Sequence, residues 1–287
     1  MFGFLNVYKP KGKTSHDIVA IIRRLSKIKQ VGHTGTLDPF AEGVLPICIG
    51  KATRLIEYLN DDKAYIGTVQ LGASTTTYDI EGEKVNISHK KISFEEIEPI
   101  LQNFRGEIEQ FPPIYSAIKV NGKKLYEYAR KGEEVKIEPR KVNIQKLEII
   151  NFDKEKQSLE LHIKCSKGTY IRSIANDLGE ALGCGGYLTK LVRIKAGNFE
   201  LKNSIELESL DTIDSIQENL IYPLEYLDFR QYELNEKEKE KISHGMKINI
   251  NIPNGKTTLT YENKIVAIAN VENNTAKTLK VFIWQEA

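Results

Sequence analysis

SLELHIKCSKGTYIRSIANDLGEAL, residues 158–182, changes its period in the middle. Over 158–165 apolar and polar residues alternate. Leu159, Leu161, Ile163 and Cys165 therefore share one face of a strand. From 170 to 182 the spacing becomes helical, with Ile171, Ile174, Ala175 and Leu178 on one side. Gly168 lets the chain turn sharply between the two, so Tyr170 and Arg172 leave the turn close together. Working outward, residues 63–72 are rich in β-branched residues and bounded by glycine, and residues 187–200 read as another strand. Residues 1–6 also read as a strand. Residues 16–26 place Ile18, Ile21, Ile22 and Leu25 on one helical face. Residues 93–104 open with the capping pair Ser93 and Glu96, and Pro99 is expected to kink or break that helix. The order is not a strict strand–helix alternation. It predicts an α+β fold with a mainly antiparallel sheet flanked by helices.

The 287 residues, 40% of them apolar, suffice for one large domain and a small one. No stretch reaches the roughly 20 apolar residues that cross a bilayer. The start lacks the basic and apolar regions of a signal peptide. Cys48, Cys165 and Cys184 are odd in number and far apart, which suits a reducing cytoplasm. Net charge is only +2, but residues 1–60 carry nine Lys/Arg against four Asp/Glu. A basic N-terminal region suits a polyanion, and equally a solvated surface.

Residues 111–140 mix basic residues with tyrosines and read as an insertion on the core. That mixture suits base stacking and phosphate pairing, and also an ordinary solvated hairpin. After about Asp228 the texture changes. A polar helix is expected over 235–244, capped by Asn235 and stopped by Gly245. Short β runs follow at Lys247–Ile252, Thr257–Tyr261, Ile265–Ala269 and Lys280–Trp284, with Phe229-Arg230-Gln231 as the link. The expected organisation is a large domain over 1–229 and a small β domain over 230–287.

No phosphate-binding or dinucleotide-binding glycine motif is present, and no nucleophile elbow. The five histidines show no metal-ligand spacing. An enzyme of this sequence is expected to work with side chains alone, without cofactor or metal. The densest polar segment is Val31-Gly32-His33-Thr34-Gly35-Thr36-Leu37-Asp38-Pro39. Pro39 disfavours helix at Asp38 and places that carboxylate on an extended or turn segment. Read alone, Asp38 is either a functional group or a cap for neighbouring backbone. Tyr65 and Tyr170 are either packing aromatics or pocket residues. Arg172 is either a surface ion pair or the partner that keeps a carboxylate charged.

Together these segments resemble the bacterial tRNA pseudouridine-55 synthases, the TruB family. The resemblance rests on Lys9-Pro10-Lys11-Gly12-Lys13-Thr14-Ser15 and on Gly32 through Pro39 followed by Ala41-Glu42-Gly43-Val44-Leu45-Pro46. It continues through Lys63-Ala64-Tyr65, Tyr115-Ser116-Ala117, Lys124-Leu125-Tyr126, Cys165 through Arg172, and Leu191-Val192-Arg193. It implies a synthase that isomerises uridine 55 in the T loop of tRNA, with no cofactor. By resemblance Asp38 is the catalytic aspartate, Arg172 its partner and Tyr65 the active-site aromatic. Tyr170 and Leu191 would line the pocket, and His33 would enter the tRNA loop. Lys9, Arg23, Arg24 and the insertion would contact the RNA backbone. The C-terminal region would be a PUA-like RNA-binding module. A monomer with no protein partner is the expectation.

One departure from the family pattern stands at Thr75-Thr76-Thr77-Tyr78-Asp79-Ile80-Glu81-Gly82, where Thr76 replaces an acidic residue. Two other classes stay open at this point. A binding-only RNA protein would need no paired Asp and Arg. An Asp-dependent glycosidase would need a second carboxylate in the pocket, for which neither Glu42 nor Asp79 has a supporting motif.

Overall fold

In the computed structural model, which describes residues 1–282, the sheet expected from the sequence is ten-stranded and mainly antiparallel. Its order across the molecule is Ile205–Glu206, Gly3–Lys9, Glu42–Ile49, Gly186–Ala196, Lys63–Leu71, Ser158–Cys165, Arg140–Asp153 and Gly106–Gln110. Val31–His33 pairs beside Glu42–Ile49. The sheet runs parallel where Glu42–Ile49 meets Gly186–Ala196, through Val192 opposite Glu42 and Arg193 opposite Gly43. That short parallel joint lies beside the Asp38 segment.

Local chemistry sets the flanking helices. Thr14 caps helix Ser15–Ser26 in a reciprocal box with Asp17, and Ile18, Val19 and Ile22 are buried against the sheet. Helix Ile171–Ala181 starts at Tyr170 and buries Ile171, Ile174, Ala175 and Leu178, the expected face. Ser93 and Glu96 form the expected capping box of helix Phe94–Leu101.

Two expectations need correction. Pro99 does not break its helix. The helix runs through to Leu101 because Ile97 and Leu101 are anchored in the core, which offsets a single missing amide. The strand expected over 187–200 is two strands, Gly186–Ala196 and Phe199–Glu200. They are joined at Gly197, whose φ of +57° turns the chain back on itself. A side chain there would stand 2.2 Å from the Asn60 carbonyl oxygen.

The 111–140 segment holds a two-stranded ribbon, Lys119–Val120 with Lys123–Lys124, and helix Leu125–Lys131. Beyond it, helix Glu236–Ser243 carries the Asn235 cap, and Gly245 follows with φ +75°. A second sheet orders Arg230–Glu233, Gly255–Tyr261, Lys264–Glu272, Thr275–Val281 and Ile248–Asn249. Arg230 and Gln231, expected as linker, form its first strand, parallel to Gly255–Tyr261. Of the expected run Lys280–Trp284, the residues after Phe282 lie outside the described ones. This sheet meets the larger body at several points. Arg54 Nη1 donates to the Val281 carbonyl at 2.8 Å, and Lys280 pairs with Glu57 at 3.0 Å. Among the described residues no helix is long and apolar enough to cross a membrane.

Candidate active site

Asp38 lies in the irregular segment between Val31–His33 and Glu42–Ile49, and two parts of the chain brace its backbone. From the N-terminal motif, Ser15 Oγ donates to the Leu37 carbonyl at 3.1 Å and accepts from the Leu37 amide at 2.8 Å. Gly12 N donates to the Pro39 carbonyl at 2.8 Å. From the parallel joint, Arg193 Nη2 donates to the Gly35 carbonyl at 3.1 Å and Nη1 to the Thr36 carbonyl at 3.2 Å. The backbone on both sides of Asp38 is therefore fixed.

Arg172 reaches Asp38 from the start of its helix. Its Nε lies 2.9 Å from Oδ2, and its Nη2 donates to Oδ1 at 3.2 Å. One charge-assisted hydrogen bond and one close ion-pair contact thus join the guanidinium to the carboxylate. The remaining donors are used as well, Nη1 to the Thr77 carbonyl at 3.2 Å and Nη2 to the Tyr115 carbonyl at 3.1 Å. The expected pairing of Asp38 with Arg172 is present, although the two residues are 134 positions apart.

A second carboxylate shares that guanidinium. Asp79 Oδ2 lies 3.4 Å from Arg172 Nη1, and the Asp79 side chain is only 5% exposed. Thr77 Oγ1 and the Glu81 amide both donate to Asp79 Oδ1, at 2.5 and 3.0 Å. The sequence reading found no second acid, so this is a correction. Both carboxylates line a cavity of about 680 Å³, but the Asp38 side chain is 33% exposed there whereas that of Asp79 is nearly enclosed. Burial pushes the Asp38 carboxyl above its ordinary range; Arg172 opposes that push and Asp79 adds to it. Thr76 faces solvent, and its hydroxyl accepts from the Glu83 amide at 3.2 Å.

Tyr65, Tyr170, Leu191 and Arg193 line the same cavity. Tyr65 is buried, and burial pushes its phenol up. Tyr170 is held through its backbone: its amide donates to Gln110 Oε1 at 2.7 Å, and Gln110 Nε2 donates to its carbonyl at 3.0 Å. Gln110 and Arg193 were not among the expected site residues. Nothing in the sequence around Gln110 marks it, whereas Arg193 was visible in the Leu191-Val192-Arg193 motif.

His33 stands outside the cavity wall, edge-on to His16 with ring centres 5.7 Å apart. Burial, then His16 and Arg193, push its imidazole down to about 4, so it is neutral near pH 7. Lys9 requires a correction. It is 0% exposed, and its Nζ donates to the carbonyls of Lys13 at 2.7 Å, Pro10 at 2.9 Å and Pro39 at 3.3 Å. A lysine so enclosed cannot reach an RNA phosphate, and it serves as an internal tie for the Asp38 segment. Among the described residues no group of His, Cys, Asp and Glu is arranged to hold a metal ion.

Comparison with known proteins agrees with this arrangement. Residues 23–171 match the TruB family pseudouridylate synthase N-terminal domain, and residues 172–227 match the tRNA pseudouridylate synthase B C-terminal domain. The chain is 43% identical to tRNA pseudouridine synthase B of Staphylococcus haemolyticus, covering 98% of this chain and 94% of that protein. It is 46% identical to the same-named protein of Geobacillus thermodenitrificans, with 85% of each chain covered. In fold it is similar to a chain of an H/ACA RNP bound to a substrate RNA containing 2′-deoxyuridine. The TM-score there is 0.73 at 22% identity, covering 99% of this chain and 86% of that one. A buried arginine paired with an aspartate in a tyrosine-lined cavity, on a chain matched over this length, has one reading: the chain belongs to the TruB family of pseudouridylate synthases.

Proposed function

We propose that the protein isomerises uridine 55 in the T loop of tRNA to pseudouridine, with Asp38 as the catalytic carboxylate. The observation that carries this reading is the Asp38–Arg172 ion pair, anchored by the Nη2–Oδ1 hydrogen bond and open on one side to the cavity. The overall change is a rearrangement: the N1–C1′ bond breaks, the base turns in place, and C5 bonds to C1′. Nothing is oxidised or hydrolysed overall, so side chains alone suffice. An ionised carboxylate at the ribose–base junction can act as nucleophile or stabilise the sugar as the base departs. Tyr65 stacks on the uracil, and Tyr170 and Leu191 close the walls around it.

A uridine in a folded loop must first leave its stack, at a cost of a few kcal/mol. His33 fills the space it vacates. The neutral imidazole supports stacking rather than ion pairing. Residues 111–140 hold the RNA backbone, with Tyr126 and Arg130 at the cavity edge. Residues 1–229 form the catalytic domain. Residues 230–287 act as a PUA-like module that holds the distant acceptor end. The enzyme acts as a monomer in the cytoplasm.

The test is incubation of unmodified tRNA with the protein, followed by mapping of pseudouridine. Product at position 55 is expected. Asp38→Ala should lower the rate by roughly 10⁴-fold and leave tRNA affinity within about threefold. Release of free uracil would favour a hydrolase instead, and a full rate in Asp38→Ala would end the reading.

A further inference from the structure

Tyr65 and Arg193 stand directly opposite each other on neighbouring antiparallel strands. Such residues point to the same face, with Cβ atoms about 5 Å apart. Both line the cavity and both are buried. Arg193 is 1% exposed and among the largest enclosed side chains of the molecule. Its donors go to neutral acceptors: the carbonyls of Val44 at 2.7 Å, Gly35 at 3.1 Å and Thr36 at 3.2 Å. Among the described residues no carboxylate pairs with it. Arg172, by contrast, is shared by two carboxylates. A guanidinium stays charged in any protein setting. Carbonyl dipoles solvate that charge without cancelling it, and in a water-poor site its field acts more strongly than in water. The phenol of Tyr65 lies in that field: burial pushes it up, and Arg193 pulls it back down.

We propose that Arg193 is a positioning residue of the isomerisation, which braces the Asp38 segment through its carbonyls and stabilises the Tyr65 oxygen as a proton acceptor. The inference rests on the proposed function. In that reaction C5 carries both its hydrogen and the new bond to C1′ once the sugar is rejoined. The C5 proton passes to the Tyr65 oxygen in the phenolate form that Arg193 stabilises, giving the phenol. The bonding pair it leaves forms the C5–C6 double bond as the C6–N1 π pair moves onto N1. N1 gains a proton from water, and the phenol later returns its own to water. In this proposal Arg193 acts through the Asp38 segment and Tyr65 rather than on the base itself.

The test uses the full chain with Arg193→Met and Arg193→Lys. Trifluorotyrosine at position 65 supplies a fluorine NMR titration that needs no RNA. In Arg193→Met, kcat should fall about 100-fold with KM within about threefold, the size of losing one preorganised electrostatic group. The fluorine signal should titrate at least about one pH unit higher than in the parent chain. In Arg193→Lys, which keeps the charge and loses the planar fork, the titration should stay near the parent's and kcat should recover about tenfold over Arg193→Met. An unchanged titration in Arg193→Met, or equal damage from both variants, would overturn the proposal. Should Arg193→Met fail to fold, the Lys variant decides: a titration displaced as far as one pH unit sinks the idea. If no pseudouridine forms with the parent chain, the proposed function fails on its own, and the titration still reports whether Arg193 governs Tyr65.

Discussion

Gly43 and Arg193 meet backbone to backbone at the parallel joint. A Cβ on Gly43 would stand 2.4 Å from the Arg193 carbonyl oxygen and 2.9 Å from its amide nitrogen. The Gly43 φ of +107° is also one that side chains rarely adopt. The other side of Gly43 faces Lys9 across the Gly3–Lys9 strand. Gly43→Ala should therefore destabilise the fold by about 2 kcal/mol or more. It should also lower activity, because Arg193 moves with its backbone. Urea unfolding measures the first effect, and a stability unchanged within about 0.5 kcal/mol would contradict it.

Asp79, on the same arginine, adds to the upward push on the Asp38 carboxyl by like-charge repulsion. In the proposed reaction Asp38 acts as an anion, so activity should fall as pH drops through its titration. Asp79→Asn keeps an acceptor for Thr77 and removes the negative charge. The acid limb of kcat should then move to lower pH, while kcat itself falls about tenfold as Arg172 loses one anchor. A pH–rate series on both proteins checks this, and an acid limb that rises would refute it.

His33 titrates at about 4, below its ordinary 6.5, because burial disfavours the cation. The unfolded chain takes up that proton between pH 6.5 and 4 while the folded chain does not. Stability from this residue is thus complete above pH 6.5 and lost as pH falls toward 4. NMR titration of the imidazole should give the low value, and His33→Phe should flatten the acid side of the stability curve. A midpoint near 6.5 would show that the ring is solvated.

Lys9 gives a prediction opposite to that for a phosphate contact. Lys9→Met fills the same space and leaves the carbonyls of Pro10, Lys13 and Pro39 without their donor. Stability should fall by about 2–3 kcal/mol. The slope of tRNA affinity against salt should stay unchanged, whereas loss of a phosphate contact would lower it by about one.

The parts of this architecture legible in the sequence are those with a local cause. The Ser158–Cys165 strand, the Ile171–Ala181 helix and the caps at Ser93 and Asn235 follow from period and spacing. Asp38 with Arg172 was expected, because both stand in motifs dense enough to identify together. Lys9 was misplaced because chain position does not tell which lysine of a basic stretch turns inward. The shared role of Asp79 depends on the fold bringing residue 79 beside residue 172, and no spacing encodes that. Gln110 is invisible for the same reason: its partner Tyr170 is 60 positions away. Gly197 was a visible turn signal, yet β-rich residues on both sides of it read as one strand.

The 134 positions between Asp38 and Arg172 also order events during synthesis. A growing chain exposes its reactive carboxylate long before the arginine leaves the ribosome, and Arg193 comes later still. Until then the acid lacks its paired guanidinium and the cavity lacks the Leu191 and Arg193 parts of its lining. Competence arrives in one late step, when the Gly186–Ala196 strand slots between two strands already made.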